Sequence, residues 1–386
     1  MIDVRDKKNC CGCTACENAC PRKCITMEED EEGFLYPKID VSRCVDCGLC
    51  EKICPVNGAR SLAQRDLRTF VVRDKRMDIV KSSTSGGVFT SIMEYILSQN
   101  GVIYGVILDE DMVAKHIRLE DTNDTRFKKI PGSKYVRSEI RGIYQQVKQD
   151  LDNARIVCFS GTPCQVAGLK SFLRNDYKTL LTVDVVCHGN PSPLYWKKYV
   201  EYQERQYKSR IVDAKFRSKT YGYHSGSMRL LFANGKKYVG SVRVNLYLKA
   251  FFKDLCSRPS CYHCAFKHAH RVSDLTVYDS WHAGKLAGIK DDDKGYTNVI
   301  VQSEKGQMLF DAVCNTLDIY EVDTEQAIAM DGCMVRSSVP WNPGREKFLK
   351  ELNDTDNLKK YCKNFYKISL TDRIIESLKK YIYFFK

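Results

Sequence analysis

Cys10, Cys13, Cys16 and Cys20, followed by Pro21, recur at a constant offset as Cys44, Cys47, Cys50 and Cys54, followed by Pro55. Three thiolates this close along a chain grip one iron–sulfur cube, and the fourth of each run reaches the other cube. The spacing therefore assigns one 4Fe-4S cluster to Cys10, Cys13, Cys16 and Cys54 and a second to Cys44, Cys47, Cys50 and Cys20. CxxC pairs also build zinc knuckles, but the doubled CxxCxxCxxxCP run is the two-cluster ferredoxin pattern. Cys11 and Cys24 fall outside it and read as bystanders.

A different kind of cysteine follows. In "CFSGTPCQVAGL" an apolar run turns through Gly161, Thr162 and Pro163 and sets Cys164 in the first turn of a helix. The partly positive helix terminus lowers a thiol pKa, so Cys164 is expected to be poised as a thiolate. Cys187 follows a second apolar run in "VVCHGNPSP", and Cys261 and Cys264 form a lone CxxC in "RPSCYHCAFKHAH". Two readings stand. The four thiols cage a third 4Fe-4S cluster, or Cys187 packs in the core while Cys261 and Cys264 form a local staple or zinc site. His188, next to Cys187, is either a proton donor or a structural hydrogen-bond donor. Cys158, Cys256, Cys314, Cys333 and Cys362 read as small packing hydrophobes.

These residues need elements to position them. Between the cysteine runs, "ITMEEDEEGFLYPKI" reads as a strand, an acidic solvated turn and a second strand. Beyond a polar connector, "TFVVR", "VIYGVIL" and "KHIRL" read as strands. "SSTSGGVFTSIMEYILSQNG" reads as a Ser-capped helix, with Val88, Ile92 and Ile96 on one face. Two strand–turn–helix units then carry Cys164 and Cys187 to one edge of the sheet, the edge at which open α/β sheets bind ligands. The expected fold is an α+β ferredoxin-like two-cluster domain followed by an α/β domain with a mostly parallel sheet. The expected boundaries are 1–60 for the ferredoxin domain, 61–68 for the connector, 69–350 for the catalytic domain and 351–386 for a helical basic tail. No GxGxxG is present, so an ordinary Rossmann fingerprint is absent. Anion-binding candidates are Ser83, Ser85, Gly86 and Gly87 at the helix start and the loop of Gly132, Ser133, Lys134 and Tyr135, although Ser-Gly-Gly also simply caps helices.

The 386 residues carry nineteen cysteines, an odd and clustered set that speaks for metal or redox chemistry and against a disulfide framework. The net charge is +13. Residues 1–60 hold 9 Lys and Arg against 11 Asp and Glu, so the basic excess belongs to the body. Such a body suits phosphorylated cofactors or acidic redox partners. No nucleic-acid motif accompanies the charge, so no nucleic-acid partner is expected. A leader and a bilayer-spanning run are not found, and a cytoplasmic place is expected.

"SSTSGGVF", "PGSKYVRS", "FSGTPCQVAGLK", "VCHGNPSP" and "RPSCYHCAFKHAHRVSDLTV", in this order behind a two-cluster ferredoxin segment, resemble the family of coenzyme F420 hydrogenase/dehydrogenase beta subunits. The resemblance covers Cys10 to Pro55 and residues 82–301. It implies an FAD-containing iron–sulfur oxidoreductase that passes electrons between clusters, flavin and a hydride-carrying substrate. It also implies that Cys164, Cys187, Cys261 and Cys264 hold the catalytic-domain cluster. Ser83, Ser85, Gly86, Gly87, Ser133, Lys134, Tyr135, Gly161, Thr162 and Pro163 would belong to the flavin pocket. Where relatives read Asp-Phe-Trp-Gly, this chain has Asp279-Ser280-Trp281-His282. The competing reading is a non-enzymatic electron carrier or assembly subunit, linked to polysaccharide biosynthesis as some relatives are.

The tail "SLTDRIIESLKKYIYFFK" places Ile374, Leu378 and Ile382 on one helical face with lysines towards its end. Its apolar face is expected to pack on the body or a partner subunit; the alternative is an anionic membrane surface.

Overall fold

The structure, a computed structural model, describes residues 2–58 and 65–384. Residues 61–64 of the expected connector, and Phe385 and Lys386 of the tail, lie outside the described residues.

The sequence repeat is written into the backbone. Gly12 and Asp46, and likewise Thr14 and Gly48, occupy equivalent places in the two cysteine runs, and all four have positive φ. Glycine takes that conformation at no cost, whereas Thr14 is a β-branched residue held there by its surroundings. The bends aim successive thiols inward and start the short helices Ala15–Ala19 and Leu49–Lys52. Strands β1 (Ile25–Glu29) and β2 (Leu35–Ile39) pair antiparallel between the runs, Ile25 opposite Ile39.

In the body, β3 (Arg68–Asp74), β4 (Val102–Leu108), β5 (Ala114–Leu119), β6 (Val157–Gly161) and β7 (Leu180–Val185) share one sheet with three later strands. A separate antiparallel sheet is made by β8 (Ile211–Ser218), β9 (Ser227–Phe232) and β10 (Lys237–Ser241). The last strands of the large sheet are β11 (Leu275–Ser280), β12 (Tyr296–Val301) and β13 (Leu317–Val322), and its order is β13-β3-β12-β11-β7-β6-β4-β5. Only the central set β11-β7-β6-β4 is parallel. The flanking pairs β4-β5, β11-β12, β12-β3 and β3-β13 are antiparallel. The sheet is therefore mixed, not mostly parallel as the strand–helix alternation had implied. The β4-β5 connection of five residues is a hairpin, and a link that short cannot make the crossover a parallel pair requires.

Helix Val88–Ser98 buries Val88, Ile92, Met93 and Ile96 against this sheet, with Gly87 (φ 91) rather than a serine at its N-cap. The small sheet packs with helices Pro193–Tyr207 and Leu246–Phe252 around Trp196, Tyr199, Phe216, Tyr247 and Phe251. Leu352, Leu358, Tyr361, Cys362 and Tyr366 join this core. Each such side chain, fully buried, contributes about 1.5–3 kcal/mol.

The terminal helix Leu370–Phe384 lies with its polar face on the body. Glu376, only 4% exposed, accepts from the Ser241 amide at 3.1 Å, and Lys379 reaches Ser225 Oγ at 3.0 Å. Ile374, Leu378 and Ile382 are each more than half exposed. The apolar face thus does not pack on the body, because the body offers this helix hydroxyls and cations (Ser225, Ser241 and Lys249) rather than an apolar groove. Among the described residues no helix is long and apolar enough to cross a membrane.

Candidate functional site

The thiols of the ferredoxin segment fall into two groups. Burial pushes Cys16 up to about 12, and Cys10 and Cys54 are among the neighbouring charges that add to it. Cys20, Cys44, Cys47 and Cys50 line one small cavity of about 20 Å³. Cys24, read as a bystander, lines the same cavity with its sulfur 3.4 Å from that of Cys20.

The other four cysteines come from three distant stretches. Cys164 stands in the first turn of helix Pro163–Leu173, where Thr162 and Gln165 form a reciprocal capping box and Thr162 Oγ1 lies 3.2 Å from the sulfur. Cys187 lies in the loop after β7, its carbonyl accepting from Lys267 Nζ. Cys261 belongs to the one-turn helix Pro259–His263, and its sulfur accepts from the Asn190 amide at 3.3 Å. The Cys264 amide donates to Ser338 Oγ at 3.0 Å. All four line a single cavity of about 910 Å³ and lie within electrostatic reach of one another.

Cys164 is not the thiolate its helix position led us to expect. The neighbouring Cys11 thiol and burial hold it well above the ordinary cysteine range. A helix terminus is worth about 0.3–1 kcal/mol, less than the about 1.4 kcal/mol of one pKa unit, and burial shifts a pKa by several units. Burial likewise pushes Cys187 and Cys261 up to about 12. Thiols so crowded stay neutral until a metal takes their protons. Among the described residues, no three Cys, His, Asp or Glu side chains converge closely enough to hold a lone metal ion. An iron–sulfur cube keeps its thiolates apart at its corners, so an all-thiol set of this spacing fits a cube better than tetrahedral zinc.

The remaining expected residues divide. Ser83, Ser85 and Gly87, Ser133, Lys134 and Tyr135, and Gly161, Thr162 and Pro163 all line the large cavity. Gly86 does not. It presses on the sheet, where a Cβ would meet the Val72 carbonyl oxygen at 2.4 Å, and its amide donates to Thr297 Oγ1. The two loops are tied by the Ser133 amide donating to Thr84 Oγ1 at 2.8 Å, and the buried Ser83 hydroxyl has no protein partner. Lys134 turns its ammonium onto the carbonyls of Lys129 and Ile130 at 2.8 and 2.6 Å, and burial pushes it down to about 7. It therefore braces the loop rather than offering a free cation. Tyr135 stacks on Phe251 and accepts from Arg217, which sits 4.4 Å over the Trp281 ring and pairs with Asp279. His188 lines the cavity with Nε2 2.7 Å from Asp254 Oδ1.

Several residues carried no motif of their own. Cys11 lies beside Cys13 and Cys164 and so connects the two thiol groups. Gly168 lets the ferredoxin loop sit on the Cys164 helix, since a Cβ there would come within 2.8 Å of Cys13 Cβ. Arg137 donates to the carbonyls of Cys11 and Gly12, and Arg141 to that of Met27. The acidic turn is not wholly solvated: Glu32 pairs with the buried Arg345 at 2.8 Å. Cys333, expected to pack, is instead exposed at the cavity. His116, buried, bonds Ser138 and the Ser160 carbonyl, and burial pushes it down to about 4.

Residues 154–326 match the family model for the C terminus of the coenzyme F420 hydrogenase/dehydrogenase beta subunit, and residues 9–58 match that of a 4Fe-4S dicluster domain. The chain is 24% identical over 318 residues to a coenzyme F420-dependent sulfite reductase of Methanocaldococcus jannaschii, covering 81% of this chain and 47% of that protein. It is 20% identical over 378 residues to the F subunit of the F(420)H(2) dehydrogenase of Methanosarcina mazei, covering 95% and 96%. It thus spans about half the length of the first relative and nearly all of the second. A solved chain of the F420-reducing hydrogenase complex of Methanosarcina barkeri aligns with a TM-score of 0.46 at 18% identity, over 78% of this chain and 93% of that one. By its two matched domains and their order, the chain belongs to the family of coenzyme F420 hydrogenase/dehydrogenase beta subunits, with a 4Fe-4S ferredoxin domain at its N-terminal side.

Proposed function

We propose that this chain is an iron–sulfur flavoprotein oxidoreductase that passes electrons between three 4Fe-4S clusters, FAD and a hydride-accepting or hydride-donating substrate. The clusters are held by Cys10, Cys13, Cys16 and Cys54, by Cys44, Cys47, Cys50 and Cys20, and by Cys164, Cys187, Cys261 and Cys264. The observation that carries the reading is the large cavity, which gathers the last four thiols and both Ser/Gly loops into one wall. A carrier that only relays single electrons has no use for a chamber of about 910 Å³, a size at which proteins enclose organic ligands. When bound, clusters move single electrons and a flavin exchanges a hydride, so joining them converts one currency into the other.

The chain's own residues do the rest. The amides around Ser83 and Ser133, together with the free Ser83 hydroxyl, are donors for phosphate oxygens. Trp281 and Tyr135, locked by Arg217, give the cavity a flat aromatic wall. Asp254 fixes the His188 ring and its Nε2 proton, which makes His188 the candidate proton donor. FAD is the cofactor proposed, and coenzyme F420, after which the relatives are named, is the competing occupant. Anaerobic purification with flavin identification and an iron count tests this: FAD and about twelve irons per chain are expected. Intact ferredoxin signals with no flavin retained after reconstitution would leave an electron carrier.

The outward apolar stripe Ile374, Leu378, Ile382, flanked by exposed Arg373 and Lys380, supports peripheral attachment to an anionic membrane. A second copy would bring the same cations face to face. Co-sedimentation with phosphatidylglycerol vesicles should fall about tenfold in the triple variant Ile374→Ser, Leu378→Ser, Ile382→Ser. Equal pelleting of variant and parent would remove the membrane from this proposal.

A further inference from the structure

The largest fully buried side chain is an arginine. Arg258 is 0% exposed, and among the described residues no carboxylate pairs with it. It reaches from the loop that carries Cys261 into the first cysteine run. Its Nε donates to the Cys10 carbonyl at 2.7 Å, and its Nη2 donates to the Leu35 carbonyl at 2.9 Å and lies 3.5 Å from the Cys10 sulfur. The Tyr36 ring lies 4.0 Å from the guanidinium. Nη1 has no hydrogen-bond partner. It points at Gly12, where a Cβ would come within 2.9 Å of it, so the glycine is what admits the guanidinium among the thiols.

A buried cation with neither a carboxylate nor water requires an anion close by. Four thiolates around an iron–sulfur cube supply one, and one-electron reduction adds a further negative charge. Hydrogen bonds to sulfur and the net charge nearby are among the levers that set a cluster's potential. We propose that Arg258 raises the reduction potential of the cluster assigned to Cys10, Cys13, Cys16 and Cys54, with Nη1 as a donor to its sulfur. This rests on the cluster assignment above.

The same residue orders the neighbouring site. The Arg258 amide donates to the Asn190 carbonyl at 2.8 Å, the Asn190 amide bonds the Cys261 sulfur, and the Cys261 amide donates to the Arg258 carbonyl at 2.9 Å. The backbone of Arg258 thus shapes one thiol group while its side chain enters the other. It is a positioning residue on the path between them.

The test is an EPR-monitored redox titration of reconstituted full-length protein, with dithionite as reductant. Arg258→Met should lower the midpoint of one ferredoxin signal by about tenfold in the reduction equilibrium, about 59 mV for one electron, and leave the other signal in place. Arg258→Lys, which keeps the charge, should recover most of the shift. Arg258→Gln carries the same expected loss as Met if Arg258→Met fails to fold. Arg345→Met is the control for docking alone, since Arg345 ties Glu32 of the ferredoxin segment without touching sulfur; both potentials should stay put. Unchanged midpoints in the charge-removing variants, or an equal shift in Arg345→Met, would overturn the role of Arg258. A parent protein with no ferredoxin signals would overturn the cluster assignment instead.

Discussion

The ferredoxin segment and the body each gather thiols, and they do it by opposite means. In the segment, ligand geometry follows from local spacing: positive-φ bends at matched positions aim cysteines three residues apart into one place. In the body, Cys164, Cys187 and the Cys261–Cys264 pair are far apart along the chain and meet only because β6 and β7 are parallel neighbours with their C-terminal ends at one edge. A local site survives in any context that keeps its loop. A topological site exists only in the folded body, and every strand that orients it is part of it.

The sharpest way to break this comparison is to remove ligands from the body alone. Cys164→Ser with Cys187→Ser should cost about four of about twelve irons while leaving the ferredoxin EPR signals intact. An unchanged iron count would mean that the body holds no cluster. A smaller effect is expected at the joint between the regions. Gly168→Val puts side-chain atoms where Cys13 lies, and overpacking of this kind costs about 1–3 kcal/mol. Urea unfolding should show that loss, and limited proteolysis should release the ferredoxin segment first. A variant as stable as the parent would show that the segment does not seat on the Cys164 helix.

What could be read from the sequence follows the same division. The eight cysteines of the repeat were legible because their meaning lies in short spacings. Cys164, Cys187, Cys261 and Cys264 were legible as a set only through resemblance, since no spacing relates them. Strand direction was misjudged because a strand reads alike in either sense. The short stretch between β4 and β5 was the one local clue that the sheet would be mixed. The Cys164 thiol was misjudged for a related reason: its helix position is local, whereas the burial and the Cys11 neighbour that outweigh it are not. Gly86 and Gly87 look equivalent in "TSGG", yet one packs on the sheet and the other caps the helix.

The joint between the regions has one more property. Arg137, Arg141 and Arg258 all donate to main-chain carbonyls of the ferredoxin segment, at Cys11, Gly12, Met27, Cys10 and Leu35. A carbonyl is present whatever side chain stands beside it. On the acceptor side, these contacts are therefore indifferent to mutation so long as the loop keeps its path. The body recognises a backbone trace rather than a residue pattern, and a foreign two-cluster module with the same loop geometry could be grafted in place of this one.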